Sequence, residues 1–375
     1  MMKIQIKEVT NIKDLKKFIS FPLHLYKNCP NYVPSLIKEE LEVLDKNKNP
    51  VFEHAQATYY LAYKEGKIVG RIAAIINTYE VEKLHKKKVR FGWFDVIDDI
   101  AVTQALIEKV KAVGLENNLH YMEGPVGFSN MEKAGLLTEG FDRLSTMITL
   151  YNHSYYKNHL ESLGFKEEKV WVENFFKVPE ELPEKVTRFS KLLQENKNFK
   201  PLRFSNKKEM EPFVRPMFNL LIETYSALES FVPFSEKQIN FYTQKYLQIL
   251  NPNFVTCILD ENQEICAFAV TSPSYAKGLQ KSRGKLFPWG WYHLLKASKN
   301  FDTAEYILIG VHPKYQKKGI TAIIFTEIFH TLKKYNIRFV ETNPQLVDNL
   351  NVQLLWSDYN PITHKKRKTY IKTIC

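Results

Sequence analysis

The densest chemistry in this sequence lies in the run Val311-His312-Pro313-Lys314-Tyr315-Gln316-Lys317-Lys318-Gly319-Ile320-Thr321. An apolar stretch, Tyr306 to Val311, is short enough for a buried strand, and Ala322, Ile323, Ile324, Phe325 and Ile328 follow in a helical pattern. A strand that turns directly into a helix surrounds a concave loop with the unpaired N–H groups of the helix's first turn. Those groups, the helix dipole and the ammonium groups of Lys314, Lys317 and Lys318 together suit a pyrophosphate. Gly319 lets the backbone come close to such a ligand. Each charge-assisted hydrogen bond is worth roughly 1.5–3 kcal/mol, so three or four can hold a nucleotide cofactor.

The elements that must position this loop can be read along the second half of the chain. A strand at Pro201 to Phe204 precedes helices over Lys207 to Tyr225 and Glu236 to Ile249. A hairpin follows, with strands Phe254 to Leu259 and Ile265 to Val270. After Tyr306 to Val311 come a helix from Ile320 to Tyr335 and a strand Arg338 to Thr342. A helix Val347 to Trp356 and a strand Lys368 to Ile374 close the chain. The first half shows a similar order: a strand Lys3 to Val9, a helix capped by Asn11, a hairpin within Tyr59 to Ile75 and a strand Phe91 to Val96. A helix Val102 to Val113, a strand His120 to Glu123, a helix Tyr156 to Leu163 and a strand Val170 to Val178 complete it. The charged stretch between them carries a helical pattern and reads as a linker helix over 179–199.

The loop resembles the acetyl-CoA motif of the GNAT acetyltransferases, in which a strand ends in Val-x-Pro and Gln/Arg-x-x-Gly-x-Gly/Ala opens a helix. The resemblance spans residues 200–375. It implies an α/β fold of two tandem GNAT-like acyl-CoA N-acyltransferase domains, residues 1–178 forming a degenerate copy. It also implies acetyl-CoA, or another acyl-CoA, as donor. On that resemblance Gly310, Val311, Gln316, Lys317, Lys318, Gly319, Ile320 and Thr321 hold the donor, with Thr321 standing where the family has Gly or Ala. Asn349 matches the asparagine that bonds the pantetheine arm. Trp356 replaces the tyrosine that commonly protonates the departing thiolate, and indole is no acid, so Tyr359, three residues on, is the candidate in its place. Glu305 lies at the family's offset for a general base, able to take a proton from a bound amine. Backbone N–H groups near Gly310 and Val311 would polarise the thioester carbonyl.

Glu341 and Asn343 end the fifth strand of this domain and are candidates for the acceptor amine. A long insert, Ser272 to Asp302, interleaves basic and aromatic residues, among them Tyr275 and Trp289. It reads as a lid over the acceptor, as a base-stacking surface for nucleic acid, or as a helical hairpin covering the sheet. The run His364-Lys365-Lys366-Arg367-Lys368 reads as a solvated turn more than as an RNA contact.

In the first half the phosphate loop is replaced by Phe94-Asp95-Val96-Ile97-Asp98-Asp99-Ile100, whose carboxylates repel a pyrophosphate. The glycine-rich stretch from Glu123 to Asp142 reads as a binding loop, and Ser129 and Asn130 are its acceptor-contact candidates.

The bulk numbers exclude several classes. With 375 residues, 44% hydrophobic and 25% charged, the chain has material for two cores and is not disordered as a whole. Its start lacks an apolar signal region, and no stretch approaches a membrane-spanning length. The four cysteines lack C-x-x-C spacing, so neither a disulfide framework nor a metal site is expected, and free thiols in a cytoplasmic protein are. The net charge of +12 favours anionic partners such as nucleotide cofactors, nucleic acid or a membrane surface. The leading expectation is direct acetyl transfer to the amine of a small molecule or peptide, without a membrane partner. Two alternatives are an aminoacyl transferase using charged tRNA, which the intact donor loop disfavours, and a non-catalytic acyl-CoA sensor.

Overall fold

The computed structural model of the chain describes residues 3–129, 131–197, 199–226 and 231–374. The chain order begins β1 (Gln5–Glu8), α1 (Ile12–Leu25), α2 (Ile37–Val43), β2 (Ala55–Lys64), β3 (Lys67–Asn77), α3 (Thr78–Glu82), β4 (Lys88–Val96) and α4 (Ile100–Glu116). It continues with β5 (Tyr121–Gly124), β6 (Leu136–Glu139), α5 (Tyr155–Ser162), β7 (Lys166–Lys177), α6 (Glu184–Lys197), β8 (Lys200–Arg203), α7 (Lys207–Tyr225) and α8 (Glu236–Ile249). Then follow β9 (Val255–Leu259), β10 (Ile265–Pro273), α9 (Ala276–Ser282), α10 (Gly290–Ala297), β11 (Thr303–Val311), α11 (Ile320–Lys334), β12 (Phe339–Thr342), β13 (Gln345–Leu346), α12 (Leu350–Leu354) and β14 (Ile362–Thr373). The fold is mixed α/β, as the sequence implied. Among the described residues no helix is long and apolar enough to cross a membrane.

The packing units are not contiguous in sequence. One comprises residues 1–172, 275–296 and 364–375, and the other 173–274 and 297–363. The chain therefore passes from unit to unit within β7, on either side of the segment 275–296, and again within β14.

In the first unit β1 to β4 form an antiparallel meander, and β4 runs parallel to β5. The hairpin between β2 and β3 closes through Glu65 and Gly66, both at positive φ (51° and 74°), as a two-residue turn with matching twist requires. The C-terminal strand β14 completes this sheet, pairing Tyr370 with Gly124 and Thr373 with Tyr121. Alternation along β14 buries Lys365 and Arg367 and turns Lys366 and Lys368 outward to Glu139 and Glu167. The basic run is thus a strand and not a solvated turn, because the acidic partners lie on strands that its sequence neighbours do not reveal.

In the second unit the sheet order is β7, β12, β11, β10, β9, β8, with β11 and β12 parallel and the other pairs antiparallel. α11 buries Ile320, Ile323, Ile324, Phe325 and Ile328 in a core that includes Ala267, Ala269, Tyr306 and Trp356. α6 joins the same core through Leu193. α8 opens with a reciprocal capping box between Ser235 and Gln238, which satisfies two end amides at once. The last helix is shorter than the apolar spacing predicts. Gln345 and Leu346 are in strand β13, and Ser357 to Tyr359 tighten into a 3-10 turn.

Candidate acyl-donor site

β11 and β12 pair in register from Thr303 opposite Phe339 to Tyr306 opposite Thr342, and there the pairing stops. On its other edge β11 stays paired with β10 up to Val311, with one residue inserted at Ile307, between the pairs Tyr306–Thr271 and Leu308–Val270. The insertion turns two consecutive carbonyls toward β12. Tyr306 O accepts from the Asn343 N–H at 2.9 Å, and Ile307 O accepts from Asn343 Nδ2 at 2.8 Å. Beyond that point β11 has one bonded edge and one open edge.

Which amides face the open edge follows from the alternation of a strand. His312 donates to Cys266 O on β10, so Gly310 and Leu308 face β10 and Ile309 and Val311 face away from it. The strand thus offers the N–H groups of Ile309 and Val311. Gly310 contributes through packing: a Cβ there would stand 2.6 Å from the Phe268 ring.

The open edge leads into the loop. His312 accepts from the Lys314 N–H through Nδ1 at 3.1 Å, and its Nε2 lies 3.2 Å from a Glu223 carboxylate oxygen. Tyr315 is buried, and its hydroxyl donates to Asp260 Oδ2 at 2.7 Å. Asp260 Oδ1 also accepts from the N–H groups of Asn262 and Glu264, so one carboxylate ties the loop to the β9–β10 turn. Burial alone would raise the Asp260 pKa, but the bonds from Tyr315 and the backbone outweigh it and hold it below the usual range. Gln316 Nε2 donates to Val311 O at 3.1 Å and closes the loop on itself. Lys314 and Lys318 carry their ammonium groups over the Tyr315 ring, 5.1 and 5.6 Å from its centre.

Lys317 and Gly319 adopt positive φ (60° and 80°), and Gly319 is the N-cap of α11 without a side chain to cap it. The Lys318 N–H is used within the turn, on Tyr315 O at 3.3 Å. Among the described residues, no side chain caps the first-turn amides of Ile320 and Thr321 at the start of α11. The first unit makes the opposite choice. At the corresponding start of α4, Asp99 caps the helix with its own carboxylate, accepting from Ala101, and pairs with Lys64 at 2.8 Å. Asp95, just before it, is buried against Arg71 and Tyr26 at 2.7 Å each. One helix start carries a built-in anion, and the other lacks one.

Beside the parting strands lie three buried glutamates: Glu173, Glu305 and Glu341, exposed 0%, 1% and 8%. Glu305 and Glu341 are direct register partners on parallel strands and share a face. A carboxylate oxygen of Glu173 lies within 4.8 Å of one of Glu341. Tyr306 and Thr342, the next pair along, face the other side, where Tyr306 packs at 4.8 Å from Trp356.

Other sequence candidates occupy different places. Asn349 caps α12, accepting from the Val352 N–H at 3.4 Å. Trp356 is buried, with Nε1 donating to Gln345 Oε1 at 3.0 Å. Tyr359 stacks on Phe176 at 5.4 Å, and its hydroxyl is buried in an apolar pocket under α11 lined by Phe325, Phe329 and Leu332, without a described partner. Burial pushes its pKa up to about 12. In the first unit Ser129 is held in a local turn, donating to Glu132 Oε2 at 2.9 Å, and Asn130 lies outside the described residues. Tyr275 and Trp289 belong to the same unit, and Trp289 is 69% exposed. Sequence reasoning passed over Asp260, Glu223 and Glu173, whose partners are distant in the chain. Only the polar turn Asp260 to Gln263 gave a signal, and it marked a hairpin, not a brace.

The chain is 30% identical over 338 residues to protein YghO of Escherichia coli, covering 88% of this chain and 84% of that one. The chain belongs to the YghO family. A second member of the comparison, the bacterial ceramide synthase of Caulobacter vibrioides, is 26% identical over 309 residues, or 81% of this chain and 79% of the other. No protein-family model matches this YghO relative. Among solved structures, a tandem GNAT protein from the clavulanic acid biosynthesis pathway aligns over 100% of the chain and 99% of its own. The TM-score is 0.59 and the identity 8%. A GCN5-related N-acetyltransferase from Sphaerobacter thermophilus aligns over 99% and 96%, with TM-score 0.53 and 10% identity. The fold of this YghO-family chain is the tandem GNAT fold.

Proposed function

We propose that the protein is an acyl-CoA-dependent N-acyltransferase that forms an amide on the primary amine of a long-chain amino alcohol. The observation that carries this reading is the open edge of β11, which leads through the short loop 312–319 into the uncapped start of α11. These residues fit an acyl-CoA: strand amides for the pantetheine arm, and helix amides with Lys317 and Lys318 for the pyrophosphate. The donor, when bound, supplies a thioester carbonyl activated for attack.

This chain's residues perform the rest. The outward N–H groups of Ile309 and Val311 are the donors available to polarise the carbonyl. Glu305 and Glu341 attract the acceptor's ammonium group, and one of them takes the proton that must leave before the nitrogen lone pair can attack. Asn343 keeps the strands parted by occupying the carbonyls that would otherwise pair. Tyr359, as a proton donor to the departing thiolate, would have to act from its apolar pocket, and water can serve instead.

The acyl and acceptor classes rest on the Caulobacter relative, named a ceramide synthase, which resembles this chain over most of both sequences. A ceramide is the amide of a fatty acid and a long-chain amino alcohol, so an equivalent reaction needs an activated acyl donor and a base for the amine, the roles proposed for the loop and the carboxylates.

Titration with palmitoyl-CoA and acetyl-CoA, followed by thiol release with sphinganine or with small soluble amines, tests the reading. Amide formation from palmitoyl-CoA and sphinganine supports it. Turnover only with acetyl-CoA and a soluble amine would move the substrate to the small-molecule class. Absence of donor binding would overturn the acyltransferase assignment.

A further inference from the structure

The helical hairpin α9–α10 is set on the first unit and ends in an apolar tip. Phe287 is 79% exposed, Trp289 69%, and Trp291, Tyr292 and Leu295 48% each. Five large apolar side chains within nine residues are not the scattered singles of an ordinary surface. Trp291 and Leu295, four apart on α10, point the same way, with Tyr292 adjoining them.

The tip is held rigidly from behind. Ala276 and Leu279 pack with Val33 and Leu36, and Leu286 and Leu294 close the cluster. Gln280 Nε2 donates to Pro30 O at 2.6 Å and to Tyr32 O at 3.0 Å, and Gly284 O accepts from the Ile37 N–H at 2.8 Å. Gly290 seats the turn so closely that a Cβ would stand 1.7 Å from Lys285 O. The aromatics are therefore presented by a built platform and are not a loop that collapsed outward.

Their setting is cationic. Between Glu264 and Asp302 the sequence has no acidic residue, and Lys277, Lys281, Arg283 and Lys285 are exposed ahead of the tip, with Lys296 behind it. Basic residues flank a contiguous apolar centre, and Leu295 adds an aliphatic side chain that stacks on no base. A surface for single-stranded nucleic acid interleaves its stacking rings with its cations, whereas an interfacial segment gathers Trp, Tyr and Leu toward the acyl boundary and keeps Lys and Arg at the headgroups.

We propose that this tip docks the protein on an anionic lipid bilayer, with Phe287, Trp289, Trp291 and Leu295 inserted at the interface and the flanking basic residues on the headgroups. The contact is peripheral and requires no spanning helix. The expectation of no membrane partner rested on spanning segments alone.

The test is sedimentation of the full chain with vesicles of phosphatidylglycerol and phosphatidylethanolamine, against vesicles of phosphatidylcholine, with no donor or acceptor present. Failure here therefore leaves the catalytic reading untouched. Binding to the anionic vesicles, weakened by salt and accompanied by quenching of tryptophan fluorescence by brominated acyl chains, is expected. The double variant Phe287→Ser, Trp291→Ser is expected to lose binding more than tenfold with an unchanged unfolding midpoint. Lys281→Glu with Lys285→Glu is expected to lower it by roughly fivefold per site. Unaltered vesicle binding in the first variant would overturn the proposal. So would a wild type that ignores vesicles and binds a single-stranded oligonucleotide through the same residues.

Discussion

The side-chain amide of Asn343 donates to the carbonyl oxygen of Ile307 at 2.8 Å, while its backbone N–H bonds to Tyr306 O. One residue thus ends a parallel pairing by consuming both acceptors that would extend it. Replacing it with alanine removes the side-chain bond, a stability cost of about 1 kcal/mol. If the open edge holds the proposed acyl donor, the larger effect falls there: kcat/KM should drop on the order of 10–100-fold because the edge loses its fixed geometry. Unfolding curves and steady-state kinetics on the same preparation check both parts.

Glu305 and Glu341 sit opposite each other on adjacent strands and are both buried. If they handle the amine's proton, Glu305→Gln or Glu341→Gln lowers kcat by about 10²–10⁴-fold while donor affinity stays near wild type. Titration calorimetry with CoA separates the two. A parallel loss of CoA affinity would place the carboxylates in donor binding instead.

Two glycines of the donor strand and loop fail for different reasons. Gly310→Ala drives a methyl into the Phe268 ring and should cost about 1–3 kcal/mol by overpacking. Gly319→Ala has room for its methyl group but must hold φ near 80°, a strain of roughly 1–2 kcal/mol at the helix start. Gly319→Glu adds an anion where the pyrophosphate is proposed to bind and should abolish CoA binding in calorimetry.

The buried Tyr359 phenol predicts alkaline lability. Its pKa lies near 12 in the folded protein against an ordinary value of 10, so the native state holds this proton more tightly than the unfolded chain. That contribution is complete below pH 10 and is lost as pH rises from 10 toward 12. Tyr359→Phe should leave the unfolding midpoint at pH 8 unchanged or higher and reduce its fall at pH 11, measured by thermal scans at both values.

In the first unit Asp95 is buried with Arg71 and Tyr26. Asp95→Ala strands a buried guanidinium and should destabilise by about 3–5 kcal/mol. Arg71→Met with Asp95→Leu should recover most of that loss in chemical denaturation.

The strand, turn and helix around Val311 to Thr321 were legible because they are consecutive in the chain and carry their own context. The tandem GNAT fold was implied by the resemblance of that loop to the GNAT motif, with the element order in agreement. What stayed hidden depends on register and distance. The residue inserted at Ile307 exists only in the pairing with β10, and it decides that Ile309 and Val311, not Gly310, face outward. The Tyr315–Asp260 brace joins residues 55 apart, with no spacing rule to reveal it. The terminal basic run misled for a related reason: Lys365 and Arg367 are buried in a strand whose paired neighbours, Leu136 to Glu139 and Tyr121 to Gly124, lie far back in the chain.

The pairing of Tyr370 to Thr373 with Tyr121 to Gly124 also bears on how the chain is made. The ribosome releases β5 long before it reaches β14, so the first unit must wait, with that edge of β5 unpaired, until β14 has been made. During that interval a trigger-type chaperone or a neighbouring nascent chain competes for the edge. A messenger truncated anywhere in the second half yields an N-terminal fragment that lacks its own closing strand, and such fragments should be found in inclusion bodies or cleared by proteases.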